Sequence, residues 1–181
     1  RWSESSARAR ATMTCYLDRA YGEQPGETID LFPARKGDGS CLMFIHGGYW
    51  RALDKKDFSF LAPAWVDAGV SLAVVNYDLC PRVSMDEIVR QMLRASRWLW
   101  LNAEEYGMDQ DRLYVAGHSA GGHLTAMLMC AVWPAFDRAL PKDDEGAALT
   151  LGAFLGGIPE QLVLGIGLAL GDGVSVGLLE A

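Results

Sequence analysis

A serine flanked by small residues, Gly117-His118-Ser119-Ala120-Gly121, is the segment of this sequence with the clearest chemistry. An apolar strand is predicted just before it, over residues 113–116, and a helix just after it. In a G-x-S-x-G turn the serine adopts a strained backbone, and the glycines let the strand and the helix approach each other. The turn therefore predicts a nucleophilic Ser119, raised above the edge of a sheet and facing the amino end of a helix.

Two adjacent glycines, Gly47 and Gly48, follow a second apolar run over residues 41–45. Glycines at the end of a strand leave backbone N–H groups open to approach. An acyl-transfer enzyme needs such groups to bind the oxyanion of its tetrahedral intermediate. An ordinary Gly-Gly turn is the alternative, but the serine turn elsewhere in the chain favours the oxyanion hole.

A serine hydroxyl also needs a base, usually a histidine that a carboxylate orients, in the chain order Ser, Asp or Glu, His. The sequence has three histidines, and none follows His123. We expect His46 to brace the Gly-Gly turn, and the side chain of His118 to point away from the serine. We expect His123 to serve in packing. The acids that follow the serine fit surface or turn positions: Asp137, Asp143, Asp144 and Asp172. Loss of the base costs about a million-fold in turnover, so this chain is expected to be nearly inactive.

Strands alternate with helices along the chain, which predicts an α/β fold with a doubly wound, mostly parallel sheet and helices on both faces. The predicted strands cover residues 28–32 (half-buried), 41–45, 70–77 and 113–116. The predicted helices cover residues 6–20, 58–68, 84–106 and 120–133, and the capping-box pattern Ser84-Met85-Asp86-Glu87 opens the third of them. Ligands bind beyond the carboxyl ends of such strands, where Gly47, Gly48 and Ser119 all fall.

Composition excludes several partners. The 181 residues carry a net charge of −7, which opposes binding to nucleic acid or to an anionic membrane. The four cysteines are scattered and form no C-x-x-C pair, so no metal site is predicted, and Cys41 and Cys130 are expected to be buried. The N-terminal residues lack the apolar core of a signal peptide. These features favour a cytoplasmic protein without metal or cofactor, and they leave its oligomeric state open.

The tail differs from the rest of the chain. It is rich in glycine and contains no Lys or Arg after Lys142. Its apolar stretch, residues 162–170, is shorter than the ~20 residues that a membrane span requires. Residues 147–155 could supply one more strand, and after them no clean helix or strand period is present. We therefore divide the chain into a domain over residues 1–150 and an atypical tail over residues 151–181.

The two motifs together, Ile45-His-Gly-Gly-Tyr-Trp50 and Gly117-His-Ser-Ala-Gly-Gly-His123, resemble those of the α/β-hydrolase superfamily. More closely, the chain resembles the kynurenine formamidase (arylformamidase) and esterase branch over residues 10–150. The resemblance implies Ser119 as the nucleophile and the backbone N–H groups of Gly47, Gly48 and Ala120 as the oxyanion hole. It also implies that Tyr49 and Trp50 border the acyl or aryl pocket. The implied reaction is hydrolysis of a small-molecule ester or N-formyl amide through an acyl-enzyme, without a cofactor. The acid and the histidine of the family's later strands have no counterpart here.

Three hypotheses remain open at this stage. The chain is the N-terminal portion of a serine hydrolase, from a truncated or frame-shifted reading frame. Alternatively, it is a non-catalytic binding protein that keeps the cleft and has lost the base. In the third hypothesis it is a fragment without function, whose exposed strand edges aggregate.

Overall fold

The computed structural model describes residues 2–131 and the backbone of two strands in the tail. The helices are α1 (Trp2–Thr12), α2 (Ala62–Asp67), α3 (Met85–Asn102) and α4 (Ala120–Met129). The strands are β1 (Tyr16–Ala20), β2 (Thr28–Phe32), β3 (Cys41–Ile45), β4 (Ser71–Val75), β5 (Leu113–His118), β6 (Leu155–Ile158) and β7 (Gln161–Leu164). Short 3₁₀ turns join several of these elements.

The strands form one mixed sheet in the order β1-β2-β4-β3-β5-β7-β6. Its centre is parallel: β3 pairs with β4 on one side and with β5 on the other. The outer pairs, β1–β2, β2–β4, β5–β7 and β6–β7, are antiparallel. In the central pairing Ile45 lies beside Gly117, so the Gly-Gly turn and the serine turn leave the same edge of the sheet on adjacent strands.

Helices cover both faces of this sheet, which confirms the predicted α/β architecture. Alternate residues of β3 face opposite ways, because successive side chains in a strand point to opposite faces. Cys41, Met43 and Ile45 pack with residues of α3 and α4. Leu42 and Phe44 pack with α2 and the 3₁₀ turns before it. β3 is buried along its whole length, as its uninterrupted apolar run predicts.

The first 20 residues differ from the prediction of one helix over residues 6–20. The helix α1 ends at Thr12, and Tyr16–Ala20 form the edge strand β1. Four of the five residues of β1 are exposed, so the segment lacks the alternation of apolar and polar residues that marks a half-buried strand.

The strand β2 was predicted to be half-buried, and this is wrong: Ile29 to Phe32 are all buried. Its polar member, Asp30, is fully enclosed and bonds two cations, Arg10 at 2.6 Å and Lys55 at 2.7 Å. Lys55 also bonds the exposed Asp18. Arg10 thus anchors α1 to the sheet.

Other boundaries shift by less. The predicted helix over residues 58–68 consists of a 3₁₀ turn (Ser59–Leu61) followed by α2. α3 begins with the predicted cap, in which Ser84 accepts a hydrogen bond from the backbone N–H of Glu87. It ends at Asn102, and a 3₁₀ turn continues to Tyr106. The last helix, α4, ends at Met129 rather than near residue 133, and Cys130 after it is exposed rather than buried.

In the tail, β6 and β7 form a hairpin, and β7 pairs with β5 at Gly117 and His118. These positions have no clear strand period in the sequence. The predicted strand over residues 147–155 lies almost wholly outside the described residues. The division of the chain near residue 150 stays a prediction. Among the described residues no helix is long and apolar enough to cross a membrane.

We predict that Asp30→Asn destabilises the fold strongly. The substitution leaves the buried ammonium group of Lys55 with the exposed Asp18 as its remaining carboxylate, and breaking a buried ion pair costs about 3–5 kcal/mol. The free energy of unfolding in urea measures the loss. Asp38→Asn is the control, because Asp38 pairs with Arg112 at the surface and its loss should change little. Equal effects of the two substitutions would contradict the assignment of Asp30 as a structural anchor.

Candidate active site

The serine turn has the geometry of a nucleophile elbow. Ser119 joins β5 directly to α4 with φ 54° and ψ −113°, a left-handed φ that a residue with a side chain rarely adopts. Glycines make the turn possible. A Cβ on Gly117 would lie 2.2 Å from the carbonyl carbon of Gly121, and a Cβ on Gly121 would lie 2.0 Å from the carbonyl oxygen of Ile45. Ser119 itself is exposed, so its hydroxyl is open to solvent.

The Gly-Gly turn lies directly against this elbow. A Cβ on Gly47 would be 3.2 Å from the Cβ of Ser119 and 2.8 Å from the carbonyl oxygen of His118. Gly48 follows with φ +107°, and a side chain there would meet the carbonyl oxygen of Ala52 at 2.1 Å. The backbone of the Gly-Gly turn and the serine therefore share one site, as the sequence predicts.

Two carbonyl groups of the turn are held from the protein interior. The hydroxyl of Tyr77 donates to the carbonyl oxygen of His46 at 2.9 Å, and Nδ1 of the His46 ring lies 2.7 Å from the carbonyl oxygen of Gly47. In a trans peptide the N–H points opposite to the C=O. Because these two carbonyls face the core, the N–H groups of Gly47 and Gly48 face away from it.

These two N–H groups make no hydrogen bond within residues 2–131. The N–H of Ala120 belongs to the first residue of α4, where an α-helix leaves its N–H groups without partners. The partial positive charge of the helix end adds to that of the amide. The three donors named by the sequence thus belong to adjoining segments around Ser119.

The aromatic pair after the glycines has two different environments. Tyr49 is 73% exposed, whereas Trp50 is half-buried, and its ring meets the ring of His123 edge-on at 5.3 Å. Both residues have positive φ, 56° and 57°. The indole Nε1 of Trp50 is buried and has no hydrogen-bond partner in the described part of the chain. Trp50 therefore connects the Gly-Gly turn to the first turns of α4.

Comparison with known proteins shows which family has this pair of turns. The family model BD-FAE matches residues 29–144, which include both turns. The chain belongs to the BD-FAE family. It lies in the formamidase and esterase-like branch of the α/β-hydrolases.

Three relatives show where the similarity lies. Kynurenine formamidase from Salmo salar is 33% identical over 153 residues, which are 83% of this chain and 50% of the relative. Ethyl acetate hydrolase from Pseudomonas putida is 38% identical over 136 residues, 71% of this chain and 42% of the relative. The crystal structure of a suggested thioesterase from Silicibacter superimposes with a TM-score of 0.63 and 36% identity, covering 70% of this chain and 47% of the other. The chain spans about half the length of the kynurenine formamidases that it matches.

The histidines of this BD-FAE chain have separate surroundings. His46 is buried beneath the Gly-Gly turn, between the rings of Tyr77 and Phe58. His118 is half-buried, and its Nδ1 lies 2.9 Å from the Cβ position of Gly47. His123 is exposed on α4. Within residues 2–131 no hydrogen bond joins any of these rings to Ser119.

The acids considered as partners of the serine, Asp137, Asp143, Asp144 and Asp172, lie outside the described residues. Among residues 2–131 and the two tail strands, no group of three or more His, Cys, Asp or Glu side chains could hold a metal ion. Two cavities, of about 310 and 260 Å³, lie away from the elbow. The smaller is lined by Ser40, Leu42, Trp65, Val70 and Tyr114, toward the amino ends of β3, β4 and β5. Neither cavity is the cleft at Ser119.

Two residues beneath the Gly-Gly turn, Asn76 and Lys55, are assigned no role by the sequence patterns. Nε2 of His46 lies 3.1 Å from Oδ1 of Asn76, and the same oxygen accepts a hydrogen bond from the backbone N–H of Lys55 at 3.2 Å. Asn76 directly follows the apolar strand β4, a position at which a polar residue of an α/β protein often faces the ligand edge. Lys55 lies in a stretch rich in charge, which gave no sign that its side chain is buried.

Burial of the His46 ring lowers its pKa, whereas the contacts with Gly47 and Asn76 raise it, as do Asp54 and Asp57 more weakly. The net shift is downward from 6.5. Between 6.5 and the lower folded-state pKa, the unfolded chain therefore binds more protons than the folded chain. The contribution of His46 to stability is complete above pH 6.5 and is lost as the pH falls through the folded-state pKa.

We predict that His46→Gln flattens this pH dependence. The free energy of unfolding of the unchanged protein should fall between pH 7 and pH 5, and the variant should show a smaller fall. Urea titrations at several pH values measure the slope. His123→Gln is the matched control, because His123 is exposed on α4. An unchanged slope in His46→Gln, or the same change in both variants, would contradict the prediction.

Proposed function

We propose that this chain carries the nucleophile and the oxyanion hole of a serine hydrolase that acts on carboxylic esters or N-formyl amides. The contact of Gly47 with the Ser119 turn supports this most directly, because it places outward-facing amides beside an exposed hydroxyl. The relatives named kynurenine formamidase and ethyl acetate hydrolase supply the two substrate classes. Small neutral acyl compounds are also compatible with a net charge of −7.

The proposed reaction proceeds in two steps. Ser119 Oγ attacks the carbonyl carbon of the ester or formamide, its proton passes to a base, and the carbonyl oxygen becomes an oxyanion. The N–H groups of Gly47, Gly48 and Ala120 bind this oxyanion, and the leaving alcohol or amine departs with a proton. Water then attacks the acyl-enzyme, releases the carboxylic acid or formate, and restores the hydroxyl. Tyr49 and Trp50 border the acyl or aryl group.

Within residues 2–131 the chain supplies no base bonded to Ser119. Its three histidines are His46, His118 and His123, and none of their rings bonds Ser119 within residues 2–131. Without a base, binding and the oxyanion hole retain about a thousand-fold acceleration over water. We therefore propose that this chain by itself turns over substrate slowly, with both triad partners of the serine missing.

A non-catalytic binding protein is the second candidate function. The same observation favours it, since a cleft with oxyanion donors and no base can bind a carbonyl compound without cleaving it. The two candidates differ in whether the serine hydroxyl is ever deprotonated.

We predict a slow hydrolysis of p-nitrophenyl acetate and of an N-formyl arylamine that depends on Ser119. Ser119→Ala should remove the part of the rate that depends on the nucleophile and leave only the acceleration that binding and the oxyanion hole supply. Gly47→Ala should lower the rate about 100-fold or to the background, since its Cβ displaces an oxyanion donor. Release of nitrophenolate and of arylamine measures both rates.

Gly107→Ala is the control for Gly47→Ala: a Cβ at Gly107 meets no atom within 4 Å, so the cost of the substitution is limited to the backbone strain of its positive φ, 76°. Calorimetric titration with the N-formyl arylamine tests the second candidate. Binding that persists in Ser119→Ala, together with no Ser119-dependent rate, would favour the binding protein. Absence of both binding and turnover would reject both candidates.

A further inference from the structure

The segment that carries the proposed oxyanion donors is a strained loop whose two ends meet at one side-chain oxygen. Its middle is held by the backbone N–H of Cys80, which donates to the carbonyl of Trp50 at 2.8 Å. Between His46 and Lys55 three residues other than glycine have positive φ: Tyr49, Trp50 and Leu53. Such conformations are strained and persist only where surrounding contacts impose them. The loop therefore needs anchors at both of its ends.

Both ends meet at Asn76 Oδ1. At the first end, Nε2 of His46 lies 3.1 Å from this oxygen, and at the second end the backbone N–H of Lys55 donates to it at 3.2 Å. The amide nitrogen of the same side chain, Nδ2, donates to Asp54 at 3.5 Å. One carboxamide thus contacts three residues of the loop.

Asn76 is itself held firmly. Its backbone N–H donates to the carbonyl of Thr28 at 2.9 Å, and its carbonyl accepts from the hydroxyl of Tyr21 at 2.6 Å. On the far side of the contact, the ammonium group of Lys55 is fixed by the buried Asp30. The contact therefore transmits the rigidity of the sheet to the loop.

We propose that Asn76 is a positioning residue that sets the oxyanion hole by joining the two ends of its loop. This role rests on the proposed function of Gly47 and Gly48 as oxyanion donors. Asn76 Oδ1 accepts from the backbone N–H of Lys55 and lies against Nε2 of the His46 ring, whose Nδ1 lies against the carbonyl of Gly47. A neutral ring has one N–H and donates to one of these two oxygens, and its stacking between Tyr77 and Phe58 holds it in place between them. The N–H of Gly48, on the same peptide group as the Gly47 carbonyl, points toward the cleft. Without the Asn76 oxygen the loop relaxes, and the two N–H groups lose their common direction.

Hydrogen exchange of two amides tests the proposal without any need for activity. The N–H groups of Arg51 and Ala52 both donate to the carbonyl of Gly48 at 3.0 Å, and both lie in the loop away from Asn76. In Asn76→Ala their exchange, followed by NMR, should be about ten-fold faster, because the loop opens locally. Asn102→Ala is the matched control: Asn102 is also half-buried, and its amide donates to Trp98 within α3. It should leave both exchange rates unchanged.

A swap variant separates the contact from general damage. Asp54→Asn combined with Asn76→Asp exchanges the two side chains. The new carboxylate at position 76 keeps an oxygen toward His46 and Lys55. The new amide at position 54 keeps an N–H···O bond between positions 54 and 76. It also keeps an oxygen for the backbone N–H of Lys56, which in the unchanged protein donates to Asp54. This variant should exchange at the unchanged protein's rate, and it decides the question even where Asn76→Ala does not fold. Three outcomes would overturn the proposal. They are fast exchange of the Arg51 and Ala52 amides in the swap variant, fast exchange of these amides in Asn102→Ala, and unchanged exchange in Asn76→Ala.

Kinetics supply the second readout where a Ser119-dependent rate exists. Asn76→Ala should lower kcat about ten-fold or more and leave KM nearly unchanged, because the oxyanion exists only beyond the ground state. A raised KM with unchanged kcat would contradict the role. If the unchanged protein shows no Ser119-dependent rate, the proposed function fails, and the exchange measurement still decides whether Asn76 orders the loop.

Discussion

The site depends on a close approach of backbones that leaves no room for side chains. Gly117 lies against Gly121 across the elbow, Gly121 lies against the carboxyl end of β3, and Gly47 lies against the carbonyl oxygen of His118 and the Cβ of Ser119. At each of these glycines an added Cβ would come within 3 Å of a backbone atom. The central pairing of β3 with β5 makes this approach possible, because it brings both turns to the same edge of the sheet.

Close approach alone does not orient amides, and here the orientation comes from the core. Tyr77 and His46 bind the carbonyl groups of the Gly-Gly turn from below, so the N–H groups of the same peptides face the cleft. The donors are therefore fixed before any substrate binds, which is the condition for electrostatic stabilisation without reorganisation. This arrangement costs backbone strain, which is seen as positive φ at Tyr49, Trp50 and Ser119. Buried contacts beneath the loop offset the strain.

The sequence predicts the elbow and the Gly-Gly turn well, because each depends on the local requirement for a missing side chain. It also predicts β3 and the cap of α3, where an apolar run and Ser84 act over a few residues. It fails where a distant partner decides the outcome. Asp30 is a charged residue inside a strand, and only Arg10 and Lys55, distant in sequence, make its burial possible. Asn76 likewise makes its contacts with a loop that lies earlier in the sequence, and no local pattern encodes these contacts.

The oxyanion hole and the base of a serine hydrolase are built by separate parts of the chain. The hole needs only the Gly-Gly turn, the elbow and the side chains beneath them, all within the segment that matches the BD-FAE family. The base must accept a proton from the serine, and in this architecture it follows the elbow in sequence. In the proposed site, the amides that would polarise a carbonyl group are thus in place before any base is added. Hydrolysis and simple binding therefore use the same amides, and they diverge only when the proton leaves Ser119.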